Sequence, residues 1–224
     1  MNTAYLSRVE LNPQRRSGRA LLGSPQAMHA AVLAAFPGRL ADRTDQRVLW
    51  RLDPAPGATH LFVVSPEQPD FTHVIEQAGW PTLRTWQTRE YGPFLDRLTE
   101  GQAWMFRLTA NPTRSRRSEG AARSQRFGHV TVAQQQEWLA DRCIGAGFDI
   151  AGPGGSRSEG IAVRERGVAD FRRGDGRVTL ATATFEGQLV VVDPDVLRGT
   201  LIGGLGPAKA YGCGLLTLAP PPVP

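Results

Sequence analysis

Leu201-Ile202-Gly203-Gly204-Leu205-Gly206-Pro207-Ala208-Lys209-Ala210-Tyr211-Gly212-Cys213-Gly214-Leu215-Leu216-Thr217-Leu218-Ala219-Pro220 is a glycine-rich turn that empties into an apolar, strand-forming run. Five glycines surround Lys209, the only lysine of the chain; the other 25 of its 26 basic residues are arginines. Glycine permits positive φ and brings bare backbone N–H groups close to an anion, of which phosphate is the usual one. The stretch is therefore a candidate phosphate cradle. It is neither a Walker A loop nor a dinucleotide fingerprint, because no Gly-Lys-Ser/Thr occurs and both of those run from strand through loop to helix. Here a short helical pattern, Asp193 to Leu197, comes first and the strand follows. An ordinary glycine-rich connection between helix and strand reads equally well from this stretch alone.

Working outward, that helix, loop and strand close a longer pattern. Ala103 to Thr109 reads as a strand, Thr131 and Gln134 as a capping box opening a helix through Trp138 and Cys143, and Ile161 to Phe171 with Arg177 to Phe185 as paired strands. Glu186-Gly187 reads as a further tight turn into Leu189 to Val192. The first half repeats the order. Tyr5 to Leu11 is strand-like, Ser24-Pro25 caps a helix running to Phe36, and Val48 to Leu52 and His60 to Val64 flank a Pro54 to Gly57 turn. Phe71 to Ala78 then reads as a helix and Leu83 to Arg89 as a weaker strand, while Arg15, Arg16 and Arg19 sit on a basic, mobile-looking link. The expected fold is α+β: two tandem ferredoxin-like (βαββαβ) domains, RRM-like, over residues 1–95 and 96–224.

Composition bounds the function. A net charge of +5 and a pI near 10.0 favour a polyanionic partner. No apolar run approaches the ~20 residues of a membrane span, and Met1 to Glu10 contains no apolar signal region. The expectation is a soluble, cytoplasmic protein with no membrane partner. Cys143 and Cys213 are too far apart for a metal motif and fit buried thiols in a reducing compartment. Asp193 and Asp195 read as a helix cap and a first-turn charge rather than a metal pair. With no Cys-x-x-Cys, His-x-His or His-Glu-x-x-His, no metal or other cofactor is expected.

Gly203-Gly204-Leu205-Gly206-Pro207-Ala208-Lys209-Ala210-Tyr211-Gly212-Cys213-Gly214-Leu215-Leu216 resembles the carboxy-terminal glycine-rich loop of the CRISPR-associated CasE-type endoribonucleases, the repeat-RNA processing subunits of the Cascade complex. The helix carrying His29 agrees, and the element order agrees from the first strand to the last residues. The resemblance implies a metal-independent endoribonuclease that cuts CRISPR repeat RNA on the 3′ side of a stem-loop and keeps the product as a Cascade subunit. It implies His29, near the start of the first helix, as the catalytic residue. On sequence alone a lone histidine on an apolar helix is more often a satisfied core residue than a catalytic one, and His60, His73 and His129 sit in no setting that draws attention. Some relatives carry a tyrosine one turn before the histidine; here that position is Gln26, and water, Lys209 or Tyr211 are candidates for the second proton carrier.

The chemistry implied is transesterification: the 2′-OH loses a proton, charge grows on the phosphate, and the leaving 5′-oxygen gains a proton, and an imidazole can serve either proton step. For RNA contact the resemblance points to the basic hairpin, so that Arg172, Arg173 and Arg177 join Gly204, Gly206, Lys209 and Tyr211 as binding residues. Arg164 and Arg166 share that hairpin, and Arg114, Arg116, Arg117, Arg123 and Arg126 form a second run that reads equally as a solvated face. Two other classes remain open. One is a guide-RNA-binding subunit that does not cut, kept in view by Gln26; the other is a nucleotide-binding regulatory domain, which the loop order disfavours.

Overall fold

A computed structural model describes residues 3–36, 47–80, 85–116, 125–173 and 176–222. By contacts the chain falls into two units. The first comprises Met1–Arg97 with Ile202–Gly204 and Lys209–Leu215, and the second comprises Leu98–Leu201 with Leu205–Ala208 and Leu216–Pro224. The glycine-rich stretch is thus shared, its lysine and tyrosine grouping with the first unit.

In the first unit the order is β1 (Tyr5–Leu11), α1 (Arg16–Leu22), α2 (Pro25–Leu33), β2 (Leu49–Ala55), β3 (Ala58–Ser65), α3 (Thr72–Ala78) and β4 (Trp86–Glu90). The antiparallel sheet runs β2-β3-β1-β4, the order expected of a βαββαβ unit. Alternation along β1 buries Val9 and Leu11 against Met28 and Val32 of α2 and Val74, Ile75 and Ala78 of α3. Between β2 and β3, Pro56 and Gly57 (φ 72°) take the turn positions that need a fixed φ and a positive one.

The basic link proves to be a helix, and this corrects the reading of Arg15, Arg16 and Arg19 as mobile. The Arg15 guanidinium donates to the Gly79 carbonyl at 3.0 Å and Arg19 to the Gln14 carbonyl at 2.7 Å. A Cβ at Gly18 would lie 2.2 Å from the Asn12 oxygen, and Leu21 is buried. Local charge hid a segment whose backbone is fixed by tertiary contacts. A short helix α4 (Gly92–Leu95) follows β4 where a plain link was expected.

The second unit contains β5 (Ala103–Ala110), β6 (Thr113–Arg116), β7 (Gln125–Gly128), α5 (Val132–Cys143), β8 (Phe148–Ile150), β9 (Ile161–Arg173), β10 (Gly176–Val191), α6 (Pro194–Gly203) and β11 (Leu216–Ala219). Its sheet runs β11-β5-β10-β8, with β9 also paired to β10. The same βαββαβ order results, its second strand broken into β8 and β9. Thr131 and Gln134 form the expected capping box on α5, and Asp193 Oδ1 accepts from the N–H groups of Asp195 and Val196 at 3.0 and 3.1 Å, so that Asp193 caps α6 and Asp195 lies in its first turn.

The expected turn at Glu186-Gly187 is absent, since β10 continues through it. Gly187 pairs with Phe106 on one side and Ile161 on the other, and a Cβ there would stand 2.5 Å from the Gly160 oxygen. The glycine serves close backbone approach rather than a reversal. In the second arginine run, β6 and β7 form a hairpin with Arg114 opposite Phe127 and Arg126 opposite Ser115; Arg117 and Arg123 lie outside the described residues. No helix among the described residues is long and apolar enough to cross a membrane.

Candidate active site

Helix α2 begins where the sequence places it. Ser24 takes an extended backbone (φ −130°) and its side chain accepts from the Ala27 N–H at 3.2 Å, with Pro25 in the first turn. Met28 and Val32 enter the core, Gln26 is exposed, and His29 is half-buried. The helix holds His29 near its start, on a face that is neither core nor open solvent.

That face meets β2. Trp50, 2% exposed, donates from its indole N–H to Nδ1 of His29 at 3.4 Å. Both α2 and β2 also pack against the 3-10 turn Lys209–Tyr211. His29, Lys209 and Tyr211 therefore stand on elements in mutual contact, and Gln26 lies one turn before His29 on the same helix.

The glycine-rich stretch is held on both sides of the turn. Arg51, 1% exposed, donates from Nε and Nη2 to the two carboxylate oxygens of Asp53, each at 2.7 Å, and from Nη1 to the Leu215 carbonyl at 2.9 Å. A fork-shaped cation in a buried setting suits this task, because its planar donors satisfy a carboxylate and a carbonyl together. Lys209 Nζ donates to the carbonyl of Gly203, the last residue of α6, at 2.6 Å. A lysine there binds a helix carbonyl that has no partner within the helix. Burial first, and the charge of Arg47 second, pull the Lys209 ammonium below the usual lysine range.

The glycines have a packing reason. Gly204 (φ 75°) and Gly212 (φ 80°) adopt backbone that favours glycine, and a Cβ on either would meet Leu49 Cδ2 at 2.9 Å or Trp50 Cζ3 at 2.7 Å. Gly206 (φ 82°) would meet Trp138 at 2.9 Å. Ala208 takes a left-handed φ of 63°, an uncommon conformation for a residue with a Cβ.

The arginines belong to the second unit. Arg172 pairs with Arg177 and Arg173 with Gly176 at the distal end of the β9–β10 ladder. Nearer its base, Arg164 is held by Glu186 at 3.0 Å, Arg107 bridges Glu186 and Glu165, and Arg166 donates to the Val130 carbonyl. Among the described residues no three metal-binding side chains come together, and both cysteines are buried free thiols. Sequence reasoning missed Trp50, Arg51 and Asp53. A buried tryptophan needs an acceptor for its N–H, but nothing local to Val48–Leu52 says that the acceptor lies on α2.

Two βαββαβ units, with a helix-borne histidine beside a lysine–tyrosine turn and a long hairpin ending in arginines, define a class of tandem ferredoxin-like proteins suited to RNA. The chain belongs to the CRISPR-associated protein family, whose model matches residues 4–220. It is 32% identical to the CRISPR-associated endoribonuclease Cse3 of Thermus thermophilus over 96% of this chain and 100% of that protein. It is 31% identical to the CRISPR system Cascade subunit CasE of Escherichia coli over 96% of this chain and 99% of that one. The structure of Thermus thermophilus Cse3 bound to an RNA representing a pre-cleavage complex superimposes with a TM-score of 0.81 at 32% identity, covering 97% of this chain and 100% of that chain.

Proposed function

We propose that this protein is a metal-independent endoribonuclease that binds the stem-loop of CRISPR repeat RNA and cleaves on its 3′ side. The 2′-OH attacks the adjacent phosphate, and the protein stays with the mature guide RNA as a subunit of a Cascade complex in the cytoplasm. The observation that carries this is His29, held by Trp50 on a capped helix beside Lys209 and Tyr211, in a chain 32% identical along 96% of its length to an endoribonuclease.

His29 is the catalytic residue in this reading. Gln26 is placed to hydrogen-bond a phosphate or the imidazole, and Lys209 supplies positive charge where the phosphate gains negative charge. Arg172, Arg173 and Arg177 grip the backbone of the stem, whose deep, narrow major groove favours recognition by shape over base reading. Gly204, Gly206 and Tyr211 line the RNA path near the cut. The exposed Gln26, which has no proton of phenolic acidity to give, favours a second reading: a guide-RNA-binding subunit that does not cut.

Incubation with a structured repeat RNA in EDTA separates the two. The nuclease cuts under chelation, and His29→Ala lowers the rate by roughly 10²–10⁴ with binding retained. Binding without cutting establishes the second reading; cutting that chelation stops and His29→Ala does not removes the mechanism.

A further inference from the structure

Trp50 fixes the state of the ring it touches. An indole N–H donates and cannot accept, so the nitrogen it meets, Nδ1 of His29 at 3.4 Å, must offer a lone pair. The neutral imidazole then carries its one proton on Nε2, because the other tautomer would turn two N–H groups against each other. Trp50 itself has little room to turn. It is 2% exposed, and the next residue, Arg51, is tied to Asp53 and to the Leu215 carbonyl. Gly212 lies on its six-membered ring: an added Cβ would stand 2.7, 3.0 and 3.1 Å from Cζ3, Cη2 and Cε3.

We propose that Trp50 is a positioning residue for RNA cleavage: seated beneath Gly212, it holds His29 in the tautomer that offers a proton from Nε2. This rests on His29 being the catalytic group, as argued above, and it divides the chemical work. The Nε2 proton passes to the 5′-oxygen as its bond to phosphorus breaks. The 2′-OH gives its proton to water as the bond from 2′-oxygen to phosphorus forms, and the ring, left as an imidazolate by the transfer, takes a proton back from the same solvent, so that proton and charge balance. Gly212 then serves catalysis by leaving space for an indole ring, a reading of the loop that differs from an anion cradle.

The test is single-turnover cleavage of a repeat stem-loop RNA and of the same RNA with sulfur in place of the 5′-oxygen at the cut. A thiolate leaves without needing a proton, so a defect in protonating the leaving group disappears on the sulfur substrate. Trp50→Phe keeps an aromatic ring in the core and loses the N–H. It should slow cleavage of ordinary RNA roughly three- to tenfold, the size of one ordinary hydrogen bond, with binding and the sulfur substrate unaffected. Gly212→Ala should follow it. His29→Ala should lose roughly 10²–10⁴ on ordinary RNA and recover most of that on sulfur.

Trp50→Phe at the wild-type rate on ordinary RNA, or equally slow on both substrates, overturns the positioning role. His29→Ala inactive on both makes the ring a base and overturns the division of work. His29→Ala cutting ordinary RNA normally sinks the underlying nuclease reading instead. Should Gly212→Ala fail to fold, which a thermal melt reports, Trp50→Phe decides alone.

Discussion

Cys213 sits two residues from Tyr211 and is fully buried, and burial pushes its thiol up to about 12 from an ordinary value of 9.0. The folded state thus keeps a proton that the unfolded chain releases near pH 9. Stability is full below that pH and falls as pH rises toward 12, by up to about 4 kcal/mol, since each pH step between the two values removes about 1.4 kcal/mol. Tyr91, whose phenol burial also holds neutral against a weaker opposite pull from Arg51, adds loss on the same alkaline side. Urea titrations between pH 8 and 12 should show the decline, and Cys213→Ala should flatten it; an unchanged slope would place the loss in other groups. Individual residues were legible to unequal degrees. His29 could be placed because Ser24 and Pro25 announce its helix within five residues, and Cys213 because an unpaired thiol in an apolar run is usually buried. Trp50 could not be linked to His29, since that pairing spans 21 residues and depends on how β2 lies against α2. Lys209 drew attention as the lone lysine, yet its grip on the Gly203 carbonyl appears only once α6 and the turn are folded.

Elements announced by local chemistry were readable, and those set by distant partners were not. The caps Ser24, Thr131 and Asp193 each bond to backbone a few residues away, so sequence alone located α2, α5 and α6. Gly187 looked like a turn because Glu-Gly often is one, whereas its reason is the Gly160 backbone across the ladder. The β9–β10 hairpin that results is long, spanning Ile161–Arg173 and Gly176–Val191. Arg172, Arg173 and Arg177 fall at its distal end, several ladder steps from the carboxylates that hold Arg164 and Arg107 at its base. Charge at that end is expected to act on RNA through phosphates. Replacing Arg172 and Arg173 together with alanine should weaken RNA binding and reduce the slope of log affinity against log salt by about one for each phosphate that is no longer neutralised. Titrations at several salt concentrations measure this directly. A slope that does not change moves the RNA stem off this hairpin.

At the scale of the whole molecule, affinity and chemistry draw on different parts. A net charge of +5, nearly all of its cations arginine, suits a protein that holds a polyanion through many contacts. The bond change concerns three atoms of the RNA and, in the reading proposed, one imidazole. Binding should therefore survive a change that stops the reaction. If the nucleophile is the 2′-OH beside the scissile phosphate, a single 2′-deoxy substitution there removes the attacking oxygen and at most one hydrogen bond to the protein. Cleavage should be blocked while affinity falls by no more than the roughly tenfold that one hydrogen bond is worth. A nuclease that activates water would still cut this substrate, because its bond-making never uses the 2′-oxygen. The products differ as well: transesterification leaves a 2′,3′-cyclic phosphate, or the 3′-phosphate it opens to, and a 5′-hydroxyl. Mass spectrometry of the fragments reads both ends, and either efficient cutting of the 2′-deoxy RNA or a 5′-phosphate on the downstream fragment would take His29 out of the role proposed for it.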